Sequence, residues 1–465
     1  MISKRKWYDY IPHPVVLLCG MLILAAILSF IIPAGSFDRI ETDGKLSVVP
    51  GSYKTIEQSP LSLMDMFMAL PLGFKTAVDI IFIVIASGIM FGFMEKSGAI
   101  ENAIGTLVKK MGIDNKYMVV FMMTFVFGSL GVFVGYENNI AMIPIGCLLS
   151  LALGGDLMLA AGMSVGAITV GFGLSPFNPY TIGTGHKIAQ LPLFSGWPLR
   201  TILCILGLTI LALYNIRYFK KITFRPEESQ ASGIDSHGFA LSKPLDQYSM
   251  TNKDLFIFLT FVAGILLILY GVFVHHWFIN QISAIFCMVT VIIALIDRTS
   301  GKEFGNIVLK SVGHVASGAF LVGLATSIKV ALEMGNISDT ISYHLAQSLT
   351  HLPLALSAVG MVIAQIAMNL VIPSGSGQAL ATLPVMVPVG ELLGMTRQTT
   401  VLAFQVGDGV SNLINPSQGG IIAMLSMCRI PFDRWLRFIF PLFAILISLS
   451  IIFVVMSVFI KYGPF

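Results

Sequence analysis

Charge is what this 465-residue chain has least of. Only 11% of it is Asp, Glu, Lys or Arg, against roughly a quarter in soluble domains, so a large solvated surface is excluded. Cysteine is scarce too. Cys19, Cys147, Cys204, Cys287 and Cys428 lie singly in or beside apolar runs, without metal-ligand spacing. They read as buried structural thiols, with no redox or zinc chemistry. The sequence holds no nucleotide-binding glycine pattern and no zinc-ligand spacing, and its one Gly-x-Ser-x-Gly match, Gly162–Gly166, lies within an apolar run rather than at a strand-to-helix turn, which disfavours an ATP-driven pump and a membrane hydrolase. Strand-like alternation does not recur, so a closed barrel is excluded and helices must satisfy the backbone in lipid.

Apolar residues are abundant. They make up 55% of the chain and give a mean hydropathy of +0.85, and many runs approach the ~20 residues of a spanning helix. The net charge of +4 comes from Lys and Arg flanking these runs, so nucleic acid is not an expected partner. Lys4-Arg5-Lys6 precedes His13–Ile32, a run too long for a signal peptide. It is expected to be a retained first helix with a cytoplasmic N-terminus. Gly35–Pro60, acidic and polar, is expected outside, and Thr76–Met94 to span back. The N-terminal half, 1–218, continues with an arm at 95–115, a hairpin at 116–155 and a broken helix at 157–193. A polar cytoplasmic linker, 219–253, leads to the C-terminal half, 254–465, with an arm at 334–351, a hairpin at 352–395 and a broken helix at 397–428.

The halves repeat one another. Asn178-Pro179 and Asn415-Pro416 interrupt apolar runs 237 positions apart, and Glu95 and Glu333 are offset by 238. The positive-inside rule puts the Lys-bearing arm, the linker, the loop with Arg298, Lys302 and Lys310, and the turn with Arg429, Arg434 and Arg437 inside. The arm 334–353 has no Lys or Arg and falls outside, as does the C-terminus; Arg397, also outside, counts against this threading. Five crossings between Thr76–Met94 and His314–Leu332 then make the halves inverted. The expected fold is an all-α integral membrane protein: about nine spanning helices, two of them broken, and two re-entrant hairpins. That is the architecture of secondary transporters.

Paired breaks expose backbone groups that are tolerable in hydrocarbon only where they line a cavity. The neutral oxygens there, from Ser175, Asn178 and Thr181 and from Ser411, Asn412, Asn415 and Ser417, suit Na⁺. At the second hairpin tip Ser374, Gly375, Ser376 and Gly377 offer compact donors for a carboxylate. The first tip, Glu137, Asn138 and Asn139, is acidic, and Asp408 adds a carboxylate before the second break. Glu137 and Asp408 could hold an ammonium, take a proton, coordinate Na⁺ or pair with a buried Lys. Lys329 and Glu333 are spaced to pair on one helix, and Glu95 could pair with Lys96 or another neighbour. Asp79 is expected exposed near a helix start, His186-Lys187 near a carboxylate or a solvated helix end, and His275-His276 in a surface loop.

The segments Pro12–Val16, Ile32–Asp38, Ser175–Tyr180 and Gly407–Pro416 resemble the YfcC group of the anaerobic C4-dicarboxylate carrier-like family, within the ion transporter superfamily. The resemblance covers nearly the whole chain. It implies a bacterial inner-membrane protein, a homodimer, and a transport domain that moves against a scaffold as an elevator. Dicarboxylate carriers of the superfamily place Ser-Asn-Thr at both hairpin tips, a pattern absent here. YfcC-type proteins resemble basic amino-acid antiporters as well as dicarboxylate carriers. The expected function is a symporter or antiporter of carboxylate-bearing solutes, amino acids with a lean to basic ones, coupled to Na⁺ or H⁺. A C4-dicarboxylate carrier is the alternative and an ion channel the remote one.

Overall fold

In the computed structural model the chain is mostly helical, and it describes residues 14–42, 45–49, 51–111, 115–239, 247–275, 277, 279–349 and 352–463. Helix α1 (Pro14–Ile31) leads into two short antiparallel ladders, β1 (Gly35–Ser36) with β4 (Lys54–Thr55) and β2 (Arg39–Thr42) with β3 (Lys45–Val48). Then follow α2 (Leu63–Thr76), α3 (Val78–Ser97), α4 (Ala99–Met111), α5 (Lys116–Val134) and, after the turn Glu137–Met142, α6 (Ile143–Ala152). The first broken helix is α7 (Leu157–Ala161), a wider turn at Gly162–Gly166, α8 (Ala167–Gly173), a second wide turn at Pro179–Gly183 and α9 (Thr184–Ile188). Helix α10 (Trp197–Phe224) closes this half.

The rest of the chain holds α11 (Asn252–His275), α12 (Ile279–Ile296), α13 (Gly301–Met334), α14 (Ser338–Ser348), α15 (Leu354–Val371), α16 (Gly375–Leu392), α17 (Arg397–Ser411), α18 (Gly419–Met427) and α19 (Phe432–Phe459). Caps explain many of these boundaries. Ser62 and Asp65 form a capping box on α2, while Ser300, Thr396 and Asp156 cap α13, α17 and α7.

One element lies outside the expectation. Between the polar stretch Gly35–Pro60 and the span expected from Thr76, α2 begins at Leu63 and adjoins α3. Together they lie antiparallel along α13, Gly73 against Ser327 and Gly92 against Ser311. The spans expected, about nine, include the two broken helices. Among the described residues six helices are long and apolar enough to cross a membrane, or seven with α13, which bends by 40°. The broken helices fail the length test because each consists of pieces of 5 to 15 residues. Helices α5 and α15, read as hairpin limbs, have the length of a full crossing.

The same order of elements recurs at nearly one offset. Helices α5 and α15 precede the two hairpin turns, α8 and α17 precede the two breaks, and α10 and α19 each run 28 residues. Direction follows from the ties at either end. Lys96 at the end of α3 bonds Asp297 at 2.6 Å and Glu303 at 3.1 Å, so α3 ends where α13 begins. Burial alone would raise the Asp297 carboxyl, but hydrogen bonds from Lys253 and Lys96 outweigh it and hold the carboxyl below its usual range. At this basic end Arg429 Nη1 donates to His237 O at 2.7 Å, Arg434 Nη1 to Ser232 O at 2.6 Å, and Tyr218 to Asp156 at 2.6 Å. The first broken helix therefore leaves the basic end and the second returns to it.

The opposite end is fastened by Arg39 on Asp339 at 2.7 Å and by Arg397, which bonds Glu391 at 2.5 Å and Ala189 O at 2.9 Å. Arg397 is thus a neutralised base. Large apolar side chains lie exposed along α1, α5, α10, α12 and α19, among them Ile27, Met122, Ile205, Val291 and Ile452, the surface expected of helices against lipid.

Several smaller expectations are settled by contacts. Lys329 pairs with Glu333 at 3.5 Å, but Lys96 turns from Glu95 to Asp297 because that buried carboxylate offers the stronger partner. Asp79 is exposed. His186 is fully buried rather than solvated. Among the thiols Cys147, Cys204 and Cys428 are buried, whereas Cys287 is exposed on the outer face of α12. His276 lies outside the described residues. The linker shortens, since α10 continues to Phe224.

Candidate functional site

The two broken helices meet where they break. A Cβ on Gly409 would lie 2.2 Å from Gly173 Cα, and one on Gly173 would lie 2.6 Å from the Gly409 carbonyl carbon. Only two glycines let the backbones of α8 and α17 approach this closely. The breaks follow within a few residues on either chain segment.

Each break is tied to the hairpin limb of its own half. In the first, Ser175 Oγ donates to Val132 O at 3.1 Å and accepts from Phe177 N at 3.1 Å, and Asn178 Oδ1 accepts from Thr181 N at 3.3 Å. In the second, Asn415 Nδ2 donates to Asn369 O at 2.7 Å, and Ser417 Oγ lies 2.7 Å from Asn415 Oδ1 and 3.2 Å from Leu370 O. Asn369 Nδ2 faces Asp408 O at 2.9 Å and both Ser411 Oγ and Asn412 Oδ1 at 2.7 Å. The oxygens expected to suit Na⁺ therefore fall into two groups, one per break. Most of them already hold a break against a limb. Thr181 Oγ1 is different: it is buried with no hydrogen-bond partner among the described residues.

The hairpin tips cross over to the other half. Tip one presents Glu137 Oε1 to Gln418 Nε2 at 3.4 Å, while Asn139 Nδ2 closes the turn on Gly135 O at 2.7 Å and Asn138 is buried beside it. Gln418 in turn caps α18, its Oε1 accepting from Gly420 N at 2.5 Å and Ile421 N at 3.2 Å. Tip two begins α16, with Ser374 Oγ accepting from Gly377 N at 3.3 Å; Ser376 is half-buried there. A Cβ on Gly375 would lie 2.5 Å from Thr181 Cγ2 and 3.1 Å from Asp408 Oδ2. Thr181 and Gln418 are themselves 237 positions apart, the offset of the repeat. Each tip thus meets the equivalent residue of the opposite break.

Asp408 is the outlying group. It is wholly buried, and neither carboxylate oxygen has a hydrogen-bond partner among the described residues. Asn369 Oδ1 and Gln378 Oε1 nearby are also without donors. Buried acceptors of this kind are costly unless a proton or a cation joins them. No carboxylate in the described residues pairs with a buried Lys here, so that alternative for Asp408 falls away. Among the described residues no group of three His, Cys, Asp or Glu could hold a metal ion.

Residues outside the expected set complete the site. Gln378 Nε2 donates to Gln365 Oε1 at 2.7 Å, joining α16 to α15. Gln405 Nε2 donates to Ser175 O at 2.6 Å and its Oε1 accepts from Arg200 Nε at 3.0 Å. Arg200, fully buried, also bonds Gln398 Oε1 at 3.0 Å and Ser195 O at 2.8 Å. A glutamine in an apolar helix is itself the signal, because its amide must find a partner; each of these does.

The family model of the C4-dicarboxylate anaerobic carriers (DcuC) matches residues 11–459. The chain belongs to that family. This member of the DcuC family is 27% identical over 491 residues to the Escherichia coli K12 protein named "Putative basic amino acid antiporter YfcC", covering 97% of this chain and 96% of that protein. It is 26% identical over 504 residues to an uncharacterised protein of Haemophilus influenzae, covering 98% of each. Among solved structures, the Neisseria gonorrhoeae efflux pump MtrF aligns at TM-score 0.45 and 18% identity over 97% of this chain and 96% of its own. The Alcanivorax borkumensis YdaH transporter aligns at TM-score 0.46 and 15% identity over 97% and 100%. The DcuC-family chain is accordingly a multi-pass membrane carrier of small molecules and not an enzyme.

Proposed function

We propose that this DcuC-family member is a secondary carrier of amino acids with a preference for basic ones, working as a symporter or antiporter coupled to H⁺ or Na⁺. The observation that carries the reading is the placement of the two acids. Asp408 lies beside the N-terminus of α16, where a Cβ on Gly375 would be 3.1 Å from its Oδ2, and Glu137 is held by the residue that caps α18. Helix N-termini favour anions, but here Ser374 and Gln418 cap them and a protein carboxylate already stands beside each. A substrate carboxylate beside a second one ~4 Å away would meet about 4 kcal/mol of repulsion at an effective dielectric constant of 20. An ammonium in the same place is attracted by as much. The unpartnered oxygens of Asp408 and Thr181 favour a cation or a proton for the same reason.

The antiparallel broken helices, the crossed hairpin tips and the shared offset support an inverted repeat with re-entrant hairpins and an elevator mechanism. The basic end is then the cytoplasmic face of a bacterial inner membrane, with the N-terminus inside, the C-terminus outside and the protein a homodimer. Family membership favours one second reading, a C4-dicarboxylate carrier. Purified protein in proteoliposomes decides between them with labelled ornithine, arginine, a neutral amino acid and succinate. Ornithine or arginine uptake that exceeds succinate uptake is expected. Succinate uptake without any amino-acid uptake overturns the proposal.

A further inference from the structure

The basic end contains a cavity of about 80 Å³ whose walls include Glu95, Pro144, Phe239, His314, Ser426 and Arg429. It has room for several waters, each needing ~10–15 Å³ by the same measure. Its walls come from α3, α4, α6, α13, the end of α18 and the linker. Helix α18 has Gln418 at its other end, and α6 follows the turn that carries Glu137. The nine residues of α18 rise ~13 Å at 1.5 Å each, which is the depth from this cavity to the crossed tips.

Three charged side chains line the cavity, Glu95, Arg429 and Glu101, the last of which accepts from the Tyr248 hydroxyl. Among the described residues no hydrogen bond or ion pair reaches the Glu95 carboxylate, because Lys96 beside it is bound to Asp297 and Glu303. Its neighbour is Gly238, at φ +86°, where a Cβ would lie 2.7 Å from Glu95 Oε1. A side chain there would fill the space around the carboxylate. Arg429 uses Nη1 alone, on His237 O at 2.7 Å and on Asp235, and its guanidinium lies 4.8 Å from the Phe239 ring centre. This fixes the guanidinium one residue along the linker from Gly238. A carboxylate without a cation and a fixed guanidinium in the lining of one cavity are complementary to a zwitterion.

We propose that this cavity is a second station for the carried solute at the basic end, taking its ammonium on Glu95 and its carboxylate on Arg429. The proposal rests on the amino-acid reading above. It separates the two tasks of the chain: recognition at the membrane surface, and occlusion about a helix-length deeper at Glu137 and Asp408.

Proteoliposomes with one orientation allow ornithine half-saturation to be measured from each face. Glu95→Gln is expected to raise the ratio of basic-face to opposite-face half-saturation about tenfold, the loss of one charged hydrogen bond, and Glu95→Asp to restore most of it. A ratio equal to that of the wild type overturns the proposal while leaving the amino-acid reading intact. Wild-type vesicles that take up no amino acid overturn both. As a measurement independent of turnover, Glu95→Cys is expected to react with a charged, impermeant thiosulfonate from the basic face, severalfold more slowly with ornithine present. Labelling that ornithine does not slow overturns the second station.

Discussion

Asp408 sits in the packed centre of the molecule with both oxygens unpartnered among the described residues, while Glu137 is held by a neutral amide. Neither acid contributes to packing in a way that its amide would not. Asp408→Asn and Glu137→Gln are therefore expected to leave yield and melting temperature within a degree or two of the wild type. Ornithine uptake should fall at least a hundredfold for Asp408→Asn and at least tenfold for Glu137→Gln, the scale of one or two charged hydrogen bonds. Full uptake by both variants would remove the acids from the site. The acids and the Asn-Pro pairs were legible in the sequence because charge and proline are expensive inside apolar helices. The partners of Gln405 and Gln418 were not, since they lie 230 and 281 positions away in the other half.

Among the elements, α8 and α17 depend on the contact between Gly173 and Gly409. Gly409→Ala puts a methyl 2.2 Å from Gly173 Cα, an overpacking worth about 1–3 kcal/mol. A melting temperature several degrees lower is expected in detergent. Gly305→Ala supplies the contrast: nothing lies within 4 Å of its Cβ position, and Ala in a helix interior gains roughly 0.5–1 kcal/mol over Gly. Equal melting temperatures for the two variants would show that the crossing is loose. Helix α2 shows why elements were only partly legible. Its run is broken by Asp65 and Pro71, so it lacks the apolar continuity of a span, and it is a helix because it packs on α13.

At the scale of the whole molecule, the linker is fastened beneath the site. Arg434 holds Ser232 O, Arg429 holds His237 O, and Ser229 bonds Asp156 at 2.6 Å. The His237 N–H and then Arg429 keep the Asp235 carboxyl below its usual range. Replacing Arg429 and Arg434 together by Ala is expected to speed chymotryptic cleavage at Phe239 severalfold. An unchanged cleavage rate would mean that the linker is fixed by other contacts.

The sequence alone determined that the chain lies in a membrane, that its halves repeat and where each is interrupted, because hydropathy, proline and a constant offset are properties of one dimension. Which break meets which tip was decided only by the tertiary structure. Thr181 and Gln418 are ordinary residues along the chain, and they become partners of Gly375 and Glu137 only when two antiparallel helices cross at a pair of glycines.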